Sequence, residues 1–156
     1  MTYTIRMYRD ADVDAVLLAW ETASVVGHPF LSEAFLKAER EAITRVYLPN
    51  TRTWVAEKDD VVVGFISMLD DEIGAIFVQP RYHGTGAGRA LMQVAKLQHD
   101  PLFVEVFERN HVGRRFYQTC GFVQVSAYEH DPTGQRMLRL RFDRAGDQSS
   151  TQSHET

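Results

Sequence analysis

The chain has a single cysteine, Cys120, among 156 residues, so neither an internal disulfide framework nor a thiolate metal cage can form, and a reducing compartment is expected. Long apolar runs are missing as well. The longest candidate for membrane insertion, Ala15 to Trp20, falls far short of the roughly twenty residues a spanning helix needs. The opening segment, Met1 to Asp14, holds Arg6, Arg9, Asp10, Asp12 and Asp14 where a secretory signal would hold an apolar stretch. These absences predict a cytoplasmic protein without a membrane partner. Nor is there an overall basic excess: the net charge is −4, which speaks against nucleic acid as a partner. What is present is an ordinary globular composition, 44% hydrophobic and 24% charged, in a length suited to one domain burying roughly two-thirds of its unfolded surface. One domain over residues 1–143 is expected. The polar, serine-rich remainder, 144–156, reads as a disordered tail.

The charge is unevenly spread. Gln79 to Gln118 holds six basic residues (Arg81, Arg89, Lys96, Arg109, Arg114, Arg115) against three acidic ones (Asp100, Glu105, Glu108), a net +3 that leaves −7 elsewhere. A local basic stretch in an acidic chain suits a small polyanionic ligand, although chance clustering on solvated faces accounts for it equally.

Thr4 to Met7 reads as a first strand. Asp10 or Asp12 can cap a helix with Val13, Val16, Leu17, Trp20 and Ser24 at helical spacing, broken by Gly27, His28 and Pro29. Ser32 can cap a second helix, carrying Phe35, Leu36, Ala42, Ile43, Val46 and Tyr47 until Pro49 stops it. Thr53 to Glu57 and Val61 to Met68 flank an acidic turn as a hairpin, and Asp70-Asp71 leads into Ile73 to Val78, which makes a three-strand meander. After Pro80 and a glycine loop, Ala87, Leu91, Val94 and Ala95 keep helical period. Phe103 to Phe107 is the next strand, Asn110 can cap a helix over Val112 to Cys120, and Gly121 suits its left-handed end. Phe122 to Tyr128 and Arg136 to Phe142 close the chain as a hairpin, whose exposed final strand could pair between subunits of a homodimer; a monomer fits equally. The class is α/β with a mixed sheet, in the order β-α-α-β-β-β-α-β-α-β-β.

His83-Gly84-Thr85-Gly86-Ala87-Gly88-Arg89 lies between a strand and a helix, where unobstructed backbone N–H groups can converge on a phosphate beside the helix dipole. Two other phosphate loops fit badly. A P-loop requires Lys then Ser or Thr after its last glycine, and here Arg89 and Ala90 follow; the third glycine of the dinucleotide fingerprint would fall on Arg89.

Val78-x-Pro80-x-x-His83-Gly84-x-Gly86-x-Gly88-x-x-Leu91, followed by Asn110-x5-Phe116-Tyr117-x3-Gly121-Phe122, resembles the GCN5-related N-acetyltransferases (GNAT) over about Thr4 to Phe142. Within that family the pattern of Trp54-Val55-Ala56, Val63-Gly64-Phe65 and the Asn-to-Gly-Phe block most resembles small bacterial acetyltransferases of the YjaB type. The resemblance implies a GNAT-like fold, acetyl-CoA as co-substrate, no metal, and transfer of an acetyl group to a primary amine of a small molecule or peptide in a ternary complex. It implies cofactor contacts from Ile76, Phe77, Val78, the turn residues His83, Gly84, Thr85, Gly86, Ala87, Gly88 and Arg89, and from Asn110 and Tyr117. The Val78 N–H would face the acetyl oxygen, and the Tyr117 phenol would protonate the departing sulfur. One position departs from the family pattern, which places Arg or Gln where His83 stands. Because the turn binds mostly through backbone, His83 is expected to modify affinity and its pH dependence, with Arg81 compensating.

Two carboxylates compete for the role of base. Glu72 resembles the position used by histone-type members, and its neighbours Asp70 and Asp71 would raise its pKa; Glu105 resembles the base position of the ribosomal-protein alanine acetyltransferases. The acceptor is expected over the loop after the first helix, beside Trp20, His28, Phe30 and Leu31, which a buried core cluster would explain equally well. Cys120 reads as an inert packed thiol. The alternative to an enzyme is an acyl-CoA-binding regulatory module with little turnover, and retention of Tyr117 and nearby carboxylates favours the enzyme.

Overall fold

Short runs of β-branched and aromatic residues form strands, and helices fill the stretches of period 3.6. The computed structural model describes residues 2–145, so most of the expected tail lies outside the described residues. Thr4–Met7 is β1, Val13–Gly27 is α1 and Glu33–Ala42 is α2; a π turn at Ile43–Tyr47 and a short helix α3, Leu48–Asn50, continue the second helix. Then come β2 (Arg52–Lys58), β3 (Val61–Leu69), β4 (Glu72–Val78), α4 (Ala87–Gln98), β5 (Leu102–Phe107), α5 (His111–Thr119), β6 (Val123–His130) and β7 (Gln135–Phe142). Among the described residues no helix is long and apolar enough to cross a membrane.

The seven strands form one sheet in the order β1-β2-β3-β4-β5-β7-β6. The final strand is therefore not the edge. β7 lies between β5 and β6, its backbone paired on both sides, and the exposed edge is β6, so pairing between subunits through the last strand is excluded. β4 and β5, the only parallel pair among the described residues, meet at Glu72–Phe103 and Ile73–Val104. Immediately after Ile73 the β3–β4 register slips by one residue, which makes Gly74 a bulge. A bulge bends its strand, and here it turns β4 away from β5 just past their last pair.

α4 and α5 cover one face of the sheet, where Leu91, Met92, Ala95, Tyr117 and Cys120 pack on Ile66, Ile73, Val104 and Leu138. α1 covers the other, with Val16, Leu17 and Trp20 against Val55, Val62 and Phe65. Burying each such side chain contributes about 1.5–3 kcal/mol.

Two local expectations change. Asp12 does not cap α1 with its side chain: its carboxylate takes Arg6 Nη1 and Nη2 at 2.8 and 2.9 Å and the Arg9 N–H at 2.9 Å. Arg6 also donates to Glu57 at 2.8 Å, which ties β1, the following turn and β2 together, and its guanidinium holds the Asp12 carboxyl below the usual carboxylate range. Pro49 does not end the second helix from outside. It lies within α3, one residue before the end of the continuous helical run, and the chain leaves at the extended Thr51. Ser32 and Asn110 do cap, accepting from Phe35 N at 3.1 Å and Gly113 N at 2.9 Å.

Candidate active site

Where β4 and β5 part, a cavity of about 1280 Å³ opens between them. That is more than the few hundred to 1,000 Å³ of a typical ligand pocket, roomy enough for a long ligand and a second reactant. Its β4 wall presents free backbone. Gln79 N–H donates to Val63 O at 2.9 Å, which makes Gly64–Val78 a non-hydrogen-bonded pair; the N–H and C=O of Val78, and of Ile76 two residues earlier, therefore point away from β3 into the gap. Gly64 is needed here, because a Cβ would come within 2.7 Å of the Phe77 carbonyl. Phe77 lines the cavity too, packed at 5.9 Å between centroids on Phe65.

At one end of the gap lies the glycine turn. Gly84 and Gly86 have φ of +76° and +98°, a conformation that costs glycine little, and Gly86 leads directly into α4. Gly88 serves packing, since a Cβ there would meet Phe116 Cε1 at 2.9 Å. Arg89 lines the cavity beside the turn, whereas the Ala87 side chain is turned into the core. The Thr85 hydroxyl is engaged by Tyr82 O and, at 2.7 Å, by the Tyr3 hydroxyl. His83 bends back from the turn, its Nε2 at 2.8 Å from Val78 O; a carbonyl only accepts, so Nε2 carries the proton. The residue that departs from the family pattern thus occupies the Val78 carbonyl and leaves the Val78 N–H open to the gap.

Tyr117 lines the middle of the cavity, with its ring against Phe116 and Phe122 and its hydroxyl in no hydrogen bond among the described residues. Burial pushes its pKa well above the ordinary phenol value, so it stays protonated. Cys120, one turn on, is buried and likewise pushed up by burial, which leaves an unreactive thiol.

Asn110 and His28 form the other side. Asn110 Oδ1 accepts the Gly113 N–H, which turns Nδ2 toward His28 Nε2 at 3.3 Å. The amide N can only donate, so Nε2 accepts and any imidazole proton is on Nδ1. Phe77, Phe107 and Phe30 surround the ring at 6.2, 5.4 and 6.0 Å between centroids, and burial pushes its pKa down to about 4. His28 is thus a neutral group at working pH. Of its expected companions, Leu31 lines the cavity; Trp20 touches it but belongs mainly to the core beneath α1; Phe30 packs edge to face with Phe107 and under Arg109 instead of lining it.

Glu72 and Glu105 both reach the cavity and converge on one cation. Arg139 Nη1 is 3.0 Å from Glu72 Oε1 and 3.9 Å from Glu105 Oε2, and Glu105 also accepts from the Tyr128 hydroxyl at 2.8 Å. The Glu72 carboxylate faces this guanidinium, while Asp70 and Asp71 lie in the exposed turn before β4. Among the polar cavity residues not anticipated are Glu39, Tyr47, His130 and Arg139. Arg139 had a sequence signal, a charge midway along an apolar strand like that of Glu105, but its pairing requires β7 to lie beside β5. Among the described residues no group of three or more His, Cys, Asp or Glu is arranged to hold a metal.

A family model for the acetyltransferase (GNAT) domain matches residues 49–124. The peptidyl-lysine N-acetyltransferase YiaC of Escherichia coli is 32% identical over 83% of this chain and 89% of its own. The chain belongs to the GNAT acetyltransferases. A second relative of this acetyltransferase, the peptidyl-lysine N-acetyltransferase YjaB of Escherichia coli, is 30% identical over 86% of this chain and 91% of its own. The solution structure of apo-form YjaB from Escherichia coli superimposes with a TM-score of 0.81 at 28% identity, covering 91% of this chain and 98% of that one. The acetyltransferase is thus of the YjaB type in sequence and fold, and an enzyme rather than a bare binding module.

Proposed function

We propose that this acetyltransferase takes acetyl-CoA as donor and a peptidyl lysine as acceptor, with direct attack in a ternary complex. The observation that carries the reading is the parting of β4 and β5, which leaves a backbone-lined channel from the glycine turn past Tyr117 to a wall of carboxylates. The pyrophosphate would lie on the N–H groups of 83–89 beside the α4 dipole, with Arg89 at hand. The pantetheine arm would run along β4 as an added strand on Ile76 and Val78, with Asn110 opposite.

In this arrangement the ammonium gives one proton to Glu72, directly or through water, and the free nitrogen attacks the thioester carbon. The Val78 N–H supports the oxygen that becomes negative. As the intermediate collapses, the C–S bond breaks, Tyr117 gives its proton to the sulfur, and the second nitrogen proton returns through solvent to the phenolate. A phenol whose pKa is raised by burial suits a donor that must stay protonated. Arg139 holds Glu72 in place, and Glu105 is the other candidate base. The names of YiaC and YjaB support lysine as acceptor. The test is a panel of lysine peptides, peptide N-termini and small amines scored by release of free CoA thiol. Release with lysine peptides is expected; release confined to another amine, or to none, would reject the assignment.

A further inference from the structure

Three carboxylates line the cavity, and two of them already share a cation: Arg139 lies between Glu72 and Glu105. The third, Glu39 on α2, makes no ion pair with lysine or arginine among the described residues. Its neighbours in the cavity wall are Tyr47 and His130, the latter at the end of β6.

The local backbone brings Tyr47 onto the same stripe as Glu39. On a regular helix eight residues leave Tyr47 about 80° around from Glu39. The π turn at Ile43–Tyr47 spends one extra residue, which takes back about 100° and returns Tyr47 to the stripe of Glu39. Single π turns are frequent at functional sites. An apolar path connects this corner to the gap between β4 and β5. The Phe35 ring meets His130 at 6.0 Å, His130 meets Phe107 at 5.4 Å, and Phe107 meets His28 at 5.4 Å. Such a wall suits the methylenes of a long side chain whose charged end must travel on to the gap.

We propose that Glu39, beside Tyr47 and His130, is the anionic group that draws the acceptor ammonium into the cavity before it passes to Glu72, and so selects cationic amines over neutral ones. This rests on the acceptor being lysine-like. Burial also pushes the Glu39 carboxyl above its ordinary value, the condition in which an anion gains most from an arriving cation. Glu39 is a specificity residue here, separate from the group that takes the proton.

The test is calorimetric binding to the enzyme–CoA complex, which requires no turnover, using a blocked lysine peptide and its norleucine counterpart. Wild type should bind the first and not the second. Glu39→Gln should weaken lysine-peptide binding roughly 10- to 100-fold, the scale of a charge-assisted contact. Glu39→Asp should recover part of it, and CoA affinity should stay unchanged in both, which also reports an intact fold. Equal lysine-peptide affinity in wild type and Glu39→Gln, or equal binding of the norleucine peptide, would overturn the proposal. Lysine binding that depends on Glu39 without any acetyl transfer would keep this proposal and reject the activity. Transfer with unchanged binding in Glu39→Gln would do the reverse.

Discussion

Asn110 and His28 meet side chain to side chain, with Nδ2 3.3 Å from Nε2, and the helix cap made by Asn110 thereby decides the tautomer of the histidine. The contact requires an imidazole without a proton on Nε2, and burial keeps it so, with a folded pKa of about 4. The unfolded imidazole takes its proton at about 6.5, so between these values the unfolded state binds more protons. Stability should be level above about pH 6.5 and fall as pH drops toward 4. The gap is worth about 3 kcal/mol in all, of which about 2 is lost by pH 5. Urea unfolding at pH 7.5 and pH 5 checks this, with His28→Gln losing that much less than wild type on acidification. Equal losses in the two proteins would remove His28 as the cause.

Tyr117→Phe should keep the packing on Phe116 and Phe122 and lower turnover roughly 10²- to 10⁴-fold at saturating substrates, the usual range for a general acid. Acetyl-CoA affinity should scarcely change, because the hydroxyl acts only as the C–S bond breaks. Steady-state kinetics beside calorimetry checks both halves. Wild-type turnover in the variant would make Tyr117 a packing residue.

Glu72→Gln should depress turnover mainly at low pH, where the amine starts charged, and higher pH should partly restore it as solvent deprotonates the amine. Both carboxylates lean on Arg139, so the pH–rate profiles of Glu72→Gln and Glu105→Gln must be compared with one amine. A lost acidic limb in Glu105→Gln alone would move the role of base to Glu105.

Acetyl-CoA and CoA should bind in preference to NAD or ATP, since the turn at His83 to Arg89 lacks the groups of the other two phosphate loops. At a hundredfold excess over Kd the ligand should add about 2.7 kcal/mol of stability by mass action. A thermal-shift series reports the order. NAD raising Tm as much as acetyl-CoA would count against the assignment of the turn.

Gly64→Ala should destabilise the fold and the cleft together, because the added methyl would lie 2.7 Å from the Phe77 carbonyl, a backbone atom that cannot swing aside. A cost of about 1–3 kcal/mol is expected for such overpacking, along with weaker acetyl-CoA binding. Denaturant unfolding at one pH measures the first, and an unchanged midpoint would show that β3 and β4 can separate freely at this point.

Features that depend on neighbours in the chain were legible in the sequence. Apolar spacing defines α1 and α4, the Asp59-Asp60 turn makes a hairpin because both residues accept a positive φ, and the glycines of 84–88 mark a backbone that must curl and stay bare. The same local logic identified the caps at Asn110 and Ser32, whereas Tyr117 was singled out by the family resemblance. Tertiary structure alone decided what distant segments do to one another. Inserting β7 between β5 and β6 brings Arg139 to Glu72 across 67 residues of chain, and folding α1 over the sheet surrounds His28 with phenylalanines from β4 and β5 as well as from its own loop, changing a titratable residue into a neutral one. The π turn that aligns Tyr47 with Glu39 has no period a sequence window can detect, because it is a one-residue slip within an otherwise helical run. Propensity and patterning act over a few residues and so determine elements; electrostatics and burial depend on where those elements meet, and that is set only when the core closes.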